Sequence, residues 1–201
     1  MIVSNIEVPN IDEIEKRLGQ FKAKAPQALY RAINNAVDKA FTEEKKAASE
    51  KYNVAQKNVA PTLRKAKASK ANLKGAVIST GERIPLYDFK HKDGDPISVA
   101  VKKGNSMKPL SGDPKAFIAT MKNGHIGIFE RKGTLQKGRK TRRPGVQRTV
   151  NKHNERIKQL HSLSVPQMLK DEKMMKQVEK AAMNRLHERL EHHIDRILQK
   201  G

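Results

Sequence analysis

Three groups of residues in this chain have the types and spacing to do chemistry. His187, Glu188, Glu191, His192, His193 and Asp195 stand close together near the C-terminus. The pairs 187/191 and 188/192 are four apart, so on a helix they share a face and offer nitrogen and oxygen ligands to a metal ion. The zinc-protease pattern of two His four apart with Glu between them is missing. A polar helix face beside an apolar stripe accounts for the same residues, and no metal ligand is assigned. His125 follows a tight turn and precedes Gly127, the setting in which a general base would need an orienting acid. The nearest acid in sequence, Glu130, falls on the opposite face of a strand, so His125 reads as a packing or hydrogen-bonding residue. A nuclease reading would require metal-dependent cleavage that His125→Ala abolishes. Neither a phosphate-binding glycine loop nor a Ser-His-Asp or Cys-His arrangement can be argued. The expectation is a protein that is not an enzyme, without catalytic, cofactor-binding or metal residues.

The third group is basic. Lys132–Lys152 holds eight Lys and Arg residues and no acid, interleaved with Gly133, Gly138 and Gly145. That composition predicts a mobile basic loop. Arg139, Lys140, Arg142 and Arg143 suit phosphate contacts, which are sequence-independent and salt-sensitive. No aromatic side chain interleaves with them, so stacking on single-stranded bases is not expected. A second acid-free block runs from Lys57 to Lys74 with six basic residues. It reads equally as solvated strand edges, where Lys discourages aggregation, or as a surface that meets a polyanion.

The whole chain shares this bias. Among 201 residues, 42 are Lys or Arg and 21 are Asp or Glu, a formal charge of +21. Such an excess repels itself unless nucleic acid or an acidic protein surface neutralises it. Hydrophobic residues make up 36% and aromatic ones 4%, with no Trp, which is thin for a compact globule. An elongated subunit, an oligomer that completes its core between copies, or partly disordered basic loops would each explain it. Cysteine is absent, excluding disulfides and thiolate metal sites. The first residues lack a signal-peptide pattern and no window is apolar enough for a membrane span. A soluble protein made in the cytosol, with no membrane partner, is expected.

The elements that must position these groups are legible in outline. In Phe117–Gly133, Asn123-Gly124 predicts a two-residue type I′ hairpin turn. Folding about it sets Met121 opposite Ile126, Ala119 opposite Ile128 and Gly127 opposite Thr120. Gly127 leaves a gap where a backbone or ring can approach. Ile11, Ile14, Leu18 and Phe21 recur at helical spacing behind Asn10 as N-cap. A helix opened by Pro26 continues to about Tyr52, about 40 Å long, with Glu43, Glu44, Lys45, Lys46, Glu50 and Lys51 on a mixed-charge face. Leu63–Ala68 and Lys74–Ser79 read as strands joined by Ser69–Asn72, and Ile97–Lys103 as a further strand. A last helix runs from about Gln167 to Gln199, with a break near Asp171. The fold class expected is α+β, a small, mainly antiparallel sheet flanked by long N- and C-terminal helices, with an extended basic loop. The expected layout is a single domain over 1–201: N-terminal helices in 1–60, a sheet region in 61–131, the basic loop in 132–155, and a C-terminal strand and helix in 156–201.

The ordered set FIATMKNGHIGIFERKG (117–133), a basic loop, and RIKQLHSLSVPQML (156–169) resembles the prophage minor tail protein Z family. The likeness extends to the wider group of head-proximal tail-completion proteins of long-tailed bacteriophages. The helix ALYRAINNAVDKAFTEEKKAASEKYNV (28–54) and the strands leading into RIPLYDF (83–89) agree in layout, so nearly the whole chain is covered. Phe117, Gly124, His125, Gly127, Phe129, Arg131, Gly133 and Pro166 fall on the family's recognisable stretches, where their role is structural. The resemblance implies a virion protein, a minor tail component acting in tail assembly and head–tail joining. It implies as partners the tail terminator, the head–tail connector and other tail and neck proteins, with a homo-oligomeric ring, most naturally a hexamer. In that setting the basic loop either lines the channel that phage DNA traverses or grips an acidic neighbour. The alternative, from charge alone, is a sequence-nonspecific nucleic-acid-binding protein using its basic loops.

Overall fold

A computed structural model describes residues 2–8, 10–113, 115–132 and 156–200. The chain opens with β1 (Ile2–Ile6), α1 (Ile11–Leu18), α2 (Ala25–Lys51), α3 (Gln56–Val59), β2 (Leu63–Ala66), β3 (Gly75–Ser79) and β4 (Arg83–Pro85). It continues with β5 (Lys90–Lys92), β6 (Ser98–Ala100), β7 (Lys108–Pro109), β8 (Phe117–Thr120) and β9 (Ile126–Lys132). After the basic segment come β10 (Arg156–Gln159), β11 (His161–Ser164), α4 (Val165–Met168) and α5 (Glu172–Lys200). The class is α+β, as the sequence suggests. Two compact units divide it: Met1–Ile84 with Leu163–Gly201, and Pro85–Ser162. The 61–131 sheet region is thus shared between the units.

The first unit is organised by α2. Ala25, Ala28, Leu29, Ala32, Ile33, Ala36, Val37, Ala40 and Ala48 lie buried along it. Alanine at so many inward positions brings neighbouring backbones close. Against this stripe α5 sets Val178, Ala182, Leu186, Leu190 and Ile194, all buried. The two helices are antiparallel, since Lys51 at the end of α2 is bonded to Asp171, just before α5. A helix of this length therefore finds its cover within the chain. Full burial of residues such as Leu29, Ile33 and Leu186 contributes about 1.5–3 kcal/mol each.

The rest of α2 is covered by an antiparallel sheet in the order β1-β3-β2. At Gly75 a Cβ would stand 2.7 Å from methyl groups of both Ile33 and Val37, so the strand rests directly on the helix. The β2–β3 pair and its Ser69–Asn72 turn follow the expected pattern, closed by Ser69 N–H to Asn72 O at 2.8 Å. Pro26 sits in the first turn of α2, also as expected. The break before α5 falls at Asp171, whose Oδ1 accepts from the amides of Lys173 and Met174 at 3.0 and 3.4 Å. Asn10 occupies the N-cap position of α1 but caps no backbone amide; its side chain donates to Glu13 at 3.4 Å.

One residue departs from its expected place. Glu44 does not belong to the mixed-charge face; it is 1% exposed. Stepping by four from Ala36 through Ala40 to Ala48 passes through position 44, so the carboxylate rides the buried stripe. Ser4 Oγ on β1 donates to its Oε1 at 2.7 Å, while Oε2 has no partner. Burial pushes the Glu44 carboxyl up to about 7, with the Ser4 hydrogen bond pulling the other way.

The second unit is built from short strands. One antiparallel sheet has the order β5-β6-β7 and another β10-β9-β8. Phe89, Ile97, Val99, Ala100, Ile128 and Phe129 form its buried residues. Of the strand expected over Ile97–Lys103, the centre Ser98–Ala100 pairs, with β5 and β7 on its two sides. Among the described residues no helix is long and apolar enough to cross a membrane.

Candidate functional site

The hairpin β8–β9 forms, but one register step away from the two-residue turn. Gly124 N–H bonds Met121 O at 2.9 Å, and Met121 N–H bonds His125 O at 2.7 Å. Lys122, Asn123 and Gly124 make a three-residue connection, with Gly124 at φ +80°, where glycine escapes the Cβ clash. The register then pairs Thr120 with Ile126, Ala119 with Gly127, Ile118 with Ile128 and Phe117 with Phe129. A one-residue shift exchanges faces. Phe117 and Phe129 therefore share a face, and Ile118 joins Ile128 on the other, where Ile128 is fully buried.

β10 extends the first of these faces. Its register sets Gln159 opposite Phe129 and Ile157 opposite Arg131. The Phe117 and Phe129 rings lie 6.2 Å apart, and the Arg131 guanidinium stands 5.1 Å from the Phe117 ring centre, a cation–π arrangement. His125 meets Phe129 edge-on at 6.5 Å and the Gln159 amide at 2.9 Å through Nε2. Gly127 lies between them; a Cβ there would come within 3.0 Å of the Phe129 ring and the Gln159 amide. The gap foreseen at Gly127 is filled by a ring and a side-chain amide. Glu130, on the opposite face, is 3.7 Å from Lys158. His125 thus packs on Phe129 and hydrogen-bonds Gln159, and among the described residues its ring has no carboxylate partner.

The structure gathers Phe117, His125, Gly127, Phe129 and Arg131 on one face, with Gly124 at the adjoining turn. Pro166 belongs to the other unit, in the first turn of α4, where the Ser164 N–H donates to Gln167 Oε1 at 2.9 Å. Gly133, Arg139, Lys140, Arg142 and Arg143 lie outside the described residues. Their attachment is defined nonetheless, because Lys132 ending β9 and Arg156 beginning β10 are paired in register. The chain leaves and returns at one place on the sheet. Sequence reasoning missed Gln159 and Ile157; the alternating IKQ that carries them was visible, but its partner strand was not. Ile126 and Ile157, at opposite ends of the sheet, remain 40% and 41% exposed.

No family model, curated protein or solved structure matches the chain.

The other acid-free block, 57–74, is partly neutralised. Lys65 and Lys67 reach Asp38 at 2.6 and 3.7 Å, and Lys74 reaches Glu7 at 3.2 Å. In the C-terminal cluster, Arg17 takes Glu191 in a two-pronged contact at 2.8 and 2.7 Å, and Arg185 takes Glu188. Among the described residues no three His, Asp or Glu side chains come together to hold a metal ion.

Proposed function

We propose that this chain is a structural virion protein of a long-tailed bacteriophage or prophage, a minor tail component at the head-proximal end. It acts in tail completion and head–tail joining by shape and charge, without covalent chemistry. One observation carries the reading: the hairpin bearing the family-like motif forms a single sheet with β10, and that sheet anchors both ends of the basic 133–155 segment. Over Pro85–Ser162 there are 18 basic residues against six acidic ones, so this unit's own carboxylates cannot balance it. DNA passing the neck, or an acidic ring neighbour, supplies the missing negative charge. In this reading the protein is made in the host bacterial cytoplasm and ends in the virion as a homo-oligomeric ring, a hexamer matching tail symmetry. Its neighbours there are the tail terminator and the head–tail connector.

The test is a fourfold substitution of Arg139, Lys140, Arg142 and Arg143 by Ser, assayed for folding by circular dichroism and for tail assembly by electron microscopy. Unchanged folding with impaired assembly or DNA passage is the expected result. Loss of the fold, or full assembly, would count against it.

The second reading, a free-standing nonspecific nucleic-acid binder, is favoured by the same charge excess. A stable monomer whose duplex affinity falls steeply with salt would favour it. In that case the fourfold variant should flatten the salt dependence by about 0.9 log units per lost phosphate contact.

A further inference from the structure

At the end of the α2–α5 pair remote from Lys51, the two helices enclose a hollow of about 260 Å³. Lys24, Gln27 and Arg31 line it from the α2 side, and His193 and Arg196 from α5, with buried Ala28 at its base. Among the described residues no carboxylate lines it. Acids are present on the same stretch of α5 but are engaged elsewhere: Glu191 holds Arg17 and Glu188 holds Arg185. Asp195 acts on Arg17 as well. Glu191 and Asp195 thus act toward Arg17 of α1, while His193 and Arg196 line the hollow.

Nε2 of His193, a lining residue, is buried and lacks a partner, as does Nε of Arg189 four residues earlier on α5. Buried polar groups ordinarily find a partner, so this is where an acceptor is wanting. An acceptor serving an ammonium, guanidinium forks and an imidazole together must offer several oxygens and more than one negative charge. Phosphate does so, and Arg is the side chain whose fork matches it.

We infer that the hollow between the start of α2 and the last turns of α5 is a phosphate-binding site, held by Lys24, Arg31, Arg196 and His193. Binding is coupled to a proton. His193 faces Arg31 from α2 and His192, Arg189 and Arg196 from its own helix; burial first, then these positive charges, hold its pKa below the usual histidine range. A bound dianion reverses the charge effect, so the site takes up a proton as it fills and binds more tightly at lower pH.

The experiment is a histidine NMR titration of the full chain in chloride and in inorganic phosphate at matched ionic strength. Phosphate should raise the His193 pKa by about one unit. Arg196→Gln and Arg31→Gln, both at exposed positions, should each weaken the effect about tenfold in phosphate concentration. Lys57→Gln, an exposed change outside the hollow, should leave it intact. An equal shift in chloride, no shift, or a shift unchanged in both Arg variants would overturn the proposal. Adding duplex DNA distinguishes the sources of the group. Displacement of inorganic phosphate by DNA assigns the site to a nucleic-acid phosphodiester, and retention assigns it to a free or terminal phosphate.

Discussion

The two units of this chain solve opposite problems with one composition. The helical unit carries 24 basic and 15 acidic residues, and much of that charge is tied across elements, as in Arg17–Glu191, Lys51–Asp171 and Lys65–Asp38. Its core is a seam of alanines on α2 closed by leucine, valine and isoleucine on α5. The sheet unit has 18 basic residues, six acids, and a core of a few aromatic and branched residues. The first ties much of its charge internally, whereas the second carries an excess of positive charge that its own acids do not offset. Total charge alone would have hidden this division.

The comparison can be broken most directly at Leu186, fully buried between α5 and α2. Leu186→Ala should cost about 3–4 kcal/mol, while amides of β8, β9 and β10 keep their protection in hydrogen exchange. If those amides lose protection in step, the units share one cooperative transition and the contrast fails.

A second test sharpens the contrast within the helical unit, whose one buried acid is unlike its paired surface charges. Glu44 titrates near 7 in the fold against 4.5 as a free side chain, so the folded state holds an extra proton between those values. Stability is full below about 4.5, falls as pH rises through the window, and is lowest above 7. The deficit is on the order of 3 kcal/mol. Glu44→Gln should recover about 2–3 kcal/mol at pH 8 and little at pH 4, read from urea denaturation at both values. A gain independent of pH would show that the Glu44 carboxyl binds its proton equally in the folded and unfolded chain.

The smallest effect belongs to the surface pairs. Arg17 and Glu191 are each about half exposed, so Arg17→Gln should cost under about 1 kcal/mol and less in high salt. A larger loss would mean that charge pairing, more than apolar packing, holds α1 to α5.

What the sequence made legible follows the range of the interactions involved. Pro26 opening α2, the Asp171 break and the β2–β3 hairpin are local events, and each was readable. The turn at Asn123-Gly124 was also readable, but its length was not. The same dipeptide serves two-residue and three-residue connections, and only pairing along the strands selects between them. β1 was missed because Ile2, Ser4 and Ile6 gain meaning only beside Val77 and Ser79, some 75 residues away. Glu44 was misassigned because charge outweighed position, although the four-residue step pointed inward. In the candidate site, Gly127 announced a close approach, but Gln159 as its occupant lies 34 residues from His125 and left no local sign.

The pairing of Lys132 with Arg156 has an evolutionary side. Since the chain leaves and rejoins the sheet at adjacent points, the ladder does not register how many residues lie between. Doubling the length of such an excursion costs only about 0.6 kcal/mol in closure entropy. The pairing of Lys132 with Arg156 thus sets little entropic limit on the number of residues between them. The same scaffold can be fitted to a new partner without re-solving its own folding problem.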